Sequence, residues 1–85
     1  MPNVVMYTTA HCPYCVRARN LLDKKGVSYT DLRVDDNPAL RPEMIERANG
    51  VTSVPQIFID DYHVGGFDDM AELDVDGDLD KRLGL

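Results

Sequence analysis

Nine Lys and Arg against fifteen Asp and Glu leave this 85-residue chain at a net charge of −6, with hydrophobic residues at 44%. That length fits one small domain spanning residues 1–85, which would bury about 60–65% of its unfolded surface. The acidic balance excludes the basic stripe of a nucleic-acid binder, no apolar run approaches the ~20 residues of a membrane helix, and no basic-then-apolar leader is visible. The expectation is a cytoplasmic monomer, a setting in which a pair of cysteines is more often catalytic or metal-binding than structural.

Asn3–Thr8 reads as a buried strand and Thr9–His11 as a loop. Pro13–Lys25 then carries apolar residues at Val16, Ala18, Leu21 and Leu22, a helical pattern stopped by Gly26. Val27–Val34 reads as a second strand whose alternation slips phase near Thr30–Asp31. Asp35-Asp36-Asn37-Pro38 turns into a second helix, with Leu40, Met44, Ile45 and Ala48 on one face and Asn49-Gly50 at its end. Gln56–Asp60 is a third strand, Asp60-Asp61 a tight turn, and Tyr62–Val64 the returning strand of a hairpin. Gly65-Gly66 breaks the chain. Asp68 and Asp69 open a last helix carrying Met70 and Leu73, Gly77 interrupts it, and Asp78–Leu83 reads as a short separate turn. The order β-α-β-α-β-β-α predicts an α/β fold. Its four-stranded mixed sheet has helices on both faces, a parallel first pair with a right-handed crossover, and an antiparallel last pair.

The chemistry concentrates in Cys12-Pro13-Tyr14-Cys15, between the first strand and first helix. This places Cys12 at the helix N-terminus, where unpaired N–H groups and the positive end of the dipole favour a thiolate. Cys15 lies one turn in, on the same side. Pro13 suits the first turn, because its missing N–H would have had no partner there. A dithiol opening the first helix after a βα unit points to a thioredoxin-like fold. Half a zinc site is the other reading of such a pair, but no second pair or close His pair completes four ligands. His11 reads as a solvated loop residue and His63 as a surface strand residue.

Three stretches together, Cys12–Cys15, Ser53-Val54-Pro55-Gln56-Ile57-Phe58-Ile59 and Gly65-Gly66-Phe67-Asp68-Asp69, resemble the signatures of dithiol glutaredoxins, and the similarity runs from about Val4 to Leu73. The resemblance implies glutathione-dependent reduction of protein disulfides and of protein–glutathione mixed disulfides. Glutathione is then the electron-donating cosubstrate, with no tightly bound cofactor and no metal. Cys12 becomes the nucleophile. Cys15 resolves its mixed disulfide intramolecularly, at high effective concentration. By the same resemblance the Val54–Pro55 bond is cis and the Val54 backbone pairs with the ligand like an added strand; a proline that merely starts the third strand is the plainer reading. Gly66 allows close approach. The amides of Phe67 and Asp68 form an anion site for the γ-glutamyl carboxylate, and the Asp68 carboxylate accepts from its ammonium, although an ordinary Asp N-cap would also fit. Tyr14 shields the sulfurs and lines the groove.

Two cations common in the family are missing. Thr9 stands where a Lys is frequent, and Val51-Thr52-Ser53 supplies no Arg. Arg41 is the remaining candidate for the glycine carboxylate of glutathione, and Arg17 adds to the local field. The expected consequence is a Cys12 thiolate less favoured than in relatives with the Lys. That would slow the step in which glutathione displaces Cys12, because a stable thiolate leaves faster. Two alternatives follow from the same residues. One is a redoxin reduced by thioredoxin reductase, kept open by the lost cations. The other is a dimer sharing a [2Fe–2S] cluster with glutathione, against which Pro13 argues by analogy.

Overall fold

β1 (Val4–Thr8) is buried along its whole length, and its alternation feeds two cores at once. Val4 and Met6 point to one side of the sheet, Val5 and Tyr7 to the other. The computed structural model describes residues 2–85. The remaining elements are α1 (Pro13–Lys24), β2 (Thr30–Arg33), α2 (Leu40–Arg47), β3 (Gln56–Ile59), β4 (Tyr62–Gly65), α3 (Phe67–Asp76) and α4 (Asp78–Leu83). The strands lie in the order β2-β1-β3-β4. β1 pairs parallel with β2, and the β1–β3 and β3–β4 pairs are antiparallel. This is the thioredoxin-like mixed sheet expected from the element order.

One core joins Val4, Met6, Ile57, Ile59 and Val64 to Ala18 and Leu22 of α1, Met70 of α3, and Leu79 and Leu83 of α4. The opposite core sets Val5, Tyr7 and Phe58 against Met44 and Ala48 at α2. Tyr7 is polar only at its tip, and that tip is partnered. Its hydroxyl donates to Glu43 Oε2 at 2.7 Å and accepts from Arg47 Nη1 at 2.9 Å. Arg47 also lies 4.2 Å above the Phe58 ring.

β2 is shorter than the sequence suggests. Val27 is buried, which is why it reads as strand, but its N–H bonds the Leu22 carbonyl at 3.2 Å while Gly26 N–H bonds Asp23 O at 3.0 Å. These two bonds close α1, with Gly26 at φ 71°, so the chain is not free to pair until Thr30. The end of the chain also differs. Gly77 ends α3, and Asp78–Leu83 is a full helix whose Leu79 and Leu83 are completely buried.

The loop before α1 is tied across the sheet. Asp35 accepts from Ala10 N–H at 3.1 Å and from Arg33 at 2.7 and 2.9 Å. Those interactions hold the Asp35 carboxyl well below the usual carboxylate range.

Candidate active site

Cys12 caps α1. Its Sγ accepts from the Cys15 backbone N–H at 3.2 Å, and Pro13 fills the first helical position. The two cysteines have opposite environments. Cys12 is half-buried, whereas Cys15 is completely buried, and both are free thiols. Burial and the hydrogen bond with Cys12 push the Cys15 thiol up to about 12, with the Thr9 backbone and the Arg19 charge pulling the other way. An accessible thiol beside a buried one is suited to sequential roles, the outer attacking and the inner resolving.

Cys12 also faces Val54. The thiol donates to the Val54 carbonyl at 3.8 Å, and the Val54–Pro55 peptide bond is cis. Gln56, buried at the start of β3, holds this segment. Its amide donates to Ser53 O at 2.9 Å, and its Oε1 lies 2.6 Å from His63 Nε2. If the Gln56 amide donates to Ser53, its oxygen is the acceptor, so His63 carries a proton on Nε2. His63 is not the surface residue expected: it is half-buried and stacks on Phe58 at 4.8 Å. Neither Gln56 nor His63 was singled out for the site by motif reading. A polar residue heading the otherwise apolar run Ile57-Phe58-Ile59 is the signal the sequence offers.

The third wall is the start of α3. The helix begins at Phe67, one residue earlier than its acidic pair suggests, because Gly66 is its N-cap. Asp69 Oδ2 accepts from the Gly66 N–H at 3.0 Å. Asp69 therefore closes the cap, while Asp68 stays exposed beside the helix's first N–H groups.

These walls enclose a cavity of about 370 Å³, within the range of small-ligand sites. Tyr14, Val54, Pro55, Gly66, Phe67 and Asp68 all line it, as do His63 and Val51. Neither Cys12 nor Cys15 is part of this lining: Cys12 adjoins it at Val54, and the other predicted residues also lie outside. Arg41 is exposed and donates to Thr52 O at 3.1 Å, adjoining the wall at Ser53. Arg17 sits 5.3 Å over the Tyr14 ring. Thr9 is half-buried in the loop, and Pro13 is exposed. Among the described residues, no three His, Cys, Asp or Glu are grouped to hold a metal ion. The arrangement presents a thiol adjoining the groove at Val54, backbone polar groups along the groove, and a helix N-terminus with an exposed carboxylate on its far wall.

Residues 4–64 match the family model described as Glutaredoxin. The chain is 55% identical to Escherichia coli glutaredoxin 3 over 83 residues, covering 98% of this chain and 99% of that one. It is 52% identical to a Pseudomonas aeruginosa glutaredoxin, covering 98% of both. Among solved structures, it resembles a crystal structure of a buckwheat glutaredoxin–glutathione complex, with a TM-score of 0.88 and 30% identity over 98% of this chain and 77% of that one. It also resembles the solution structure of a Brucella melitensis glutaredoxin, with a TM-score of 0.84 and 46% identity over 98% and 89%.

Proposed function

The chain belongs to the glutaredoxin family, and from that premise we propose how its residues carry out glutathione-dependent thiol–disulfide oxidoreduction. Cys12 is the nucleophile. As thiolate it attacks a protein–glutathione mixed disulfide, taking the glutathionyl sulfur and releasing the protein thiolate. Glutathione thiolate then attacks the glutathionyl sulfur, forming glutathione disulfide and expelling Cys12 as thiolate. On a protein disulfide, Cys12 forms the mixed disulfide and Cys15 displaces the substrate.

One observation supports this most. Val54, which faces Cys12 Sγ, and the N-terminus of α3 line the same cavity. A tripeptide whose cysteine lies against Val54 would extend its γ-glutamyl end toward Phe67 and Asp68. The helix amides would meet its carboxylate, and the exposed Asp68 its ammonium. Tyr14 and Pro55 form the walls, Gly66 permits close approach, and Arg41, fixed to Thr52, takes the glycine carboxylate. The physiological partners are disulfide-containing and glutathionylated proteins. The enzyme acts as a cytoplasmic monomer without a tightly bound cofactor. No described helix is long and apolar enough to cross a membrane. The comparisons favour neither thioredoxin reductase as donor nor a cluster-bridged dimer.

Asp68→Asn tests the ligand's orientation. It removes a charge-assisted bond worth about 1 kcal/mol at an exposed site, so KM for glutathione should rise about fivefold. An unchanged KM would place the γ-glutamyl group elsewhere.

A further inference from the structure

Cys15 does its work only after it loses a proton, yet it is completely buried. Four residues after it on α1 stands Arg19, a spacing that puts the two side chains on neighbouring positions of one helix face. Arg19 is fixed from two directions. Its Nε lies 2.7 Å from Asp31 Oδ2 of β2, and its Nη2 donates to Thr8 Oγ1 of β1 at 3.0 Å. Thr8 is completely buried, and its hydroxyl donates to Asp31 Oδ1 at 2.5 Å. This closed ring of three side chains lies outside the ligand cavity and has no part in the mechanism above. The titratable groups that face it are Cys15 on α1 and Tyr29 just before β2, which also faces Asp23 of α1; Cys15 in turn faces Cys12.

We propose that Arg19 is a positioning residue for the resolving step: its guanidinium, held by Asp31 and Thr8, supplies the positive charge that makes Cys15 available as a nucleophile, and Asp31 limits how much of that charge the sulfur feels. The direction agrees with the pull of Arg19 on the Cys15 thiol, a smaller effect than the burial and the Cys12 hydrogen bond that raise it. The step is balanced within the molecule. Cys15 attacks Cys12 Sγ; the Cys12–Cys15 bond forms as the Cys12–substrate bond breaks, and the proton lost by Cys15 leaves with the departing substrate sulfur.

The inference rests on the Cys12/Cys15 assignment but not on the glutathione site, so it is tested with an aromatic disulfide, dithiobis-nitrobenzoate. Rapid mixing with the reduced protein gives a first release of nitrothiobenzoate when Cys12 attacks, and a second, concentration-independent release when Cys15 resolves. Arg19→Met should slow the second phase about threefold at neutral pH, an about tenfold loss of thiolate partly offset by its higher nucleophilicity, and move its pH profile about one unit upward. Arg19→Lys should restore most of the rate. Asp31→Asn should do the opposite of Arg19→Met, speeding the phase about threefold and moving the profile downward, since the charge of Arg19 is then uncompensated. Both variants break the same ion pair. Changes in the same direction would therefore mean that the pair only holds structure, and would overturn the proposal, as would no change in either. Should Arg19→Met fail to fold, Asp31→Asn decides alone: acceleration supports the proposal, and slowing or no change overturns it. Correct signs here with no turnover on glutathione would instead count against the glutathione site alone.

Discussion

Gly65→Ala should be the most damaging single-methyl addition near the groove, for two reasons that share one carboxylate. Gly65 has φ +108°, a conformation L side chains rarely adopt, and an added Cβ would fall inside contact distance of Asp69 Oδ2 and 3.0 Å from its Cγ. The backbone strain costs about 2 kcal/mol. The clash pushes Asp69 off the Gly66 N–H, which costs about 1 kcal/mol of capping. Gly65→Ala should thus lose about 3 kcal/mol, and Asp69→Ala alone about 1 kcal/mol. The double variant cannot lose the same cap twice, so it should lose about 3 rather than 4 kcal/mol. Urea unfolding of the four proteins measures this cycle, and KM for glutathione should rise in each variant as the α3 N-terminus loosens. Additive losses, or a Gly65→Ala protein within about 0.5 kcal/mol of wild type, would refute the shared-carboxylate argument.

Leu79→Ala and Leu83→Ala should each destabilise by about 2–5 kcal/mol in the same unfolding assay, because both side chains are completely buried in the α1/α3 core. Asp35→Asn should be less stable than wild type at neutral pH. The Asp35 carboxyl is depressed in the folded state, so its contribution is present above the unfolded value near pH 4 and fades as pH falls through the folded one. The gap between the two proteins should therefore close in acid titrations; a constant gap would show that the Arg33 and Ala10 contacts do not favour the charged form. At the alkaline end the sign reverses. The raised Cys15 thiol stays protonated in the fold while the unfolded chain ionises from about pH 8.5. Wild type should consequently lose stability above that pH more steeply than Cys15→Ala.

Elements whose residues meet their partners locally were readable from the chain. β1 is apolar from Val4 to Tyr7 because both of its faces are covered, and α1 carries its stop at Gly26. The hairpin turn at Asp60-Asp61 and the break at Gly65-Gly66 also lie where the sequence puts them. What escaped depended on distant partners. Val27 is apolar whether it joins a strand or closes a helix, and only the Leu22 carbonyl distinguishes the two. Six residues of α4 are too few to show a period, so the burial of Leu79 and Leu83 was invisible. At the site, the cysteine, proline and double-glycine motifs named most of the cavity lining. The supports behind it were not named. Gln56–His63 is joined through the register of β3 and β4, and Arg19–Asp31–Thr8 through three separate elements. No spacing in the sequence brings either set together.

The central claim, a glutathione-using dithiol with Cys12 outermost, is tested most directly by reducing a glutathione mixed disulfide at fixed glutathione with wild type, Cys12→Ser and Cys15→Ser. The account predicts an active wild type, an inactive Cys12→Ser and a Cys15→Ser that still turns over, since the outer, half-buried sulfur alone completes that cycle. Activity retained by Cys12→Ser, or wild type idle with glutathione, would contradict it.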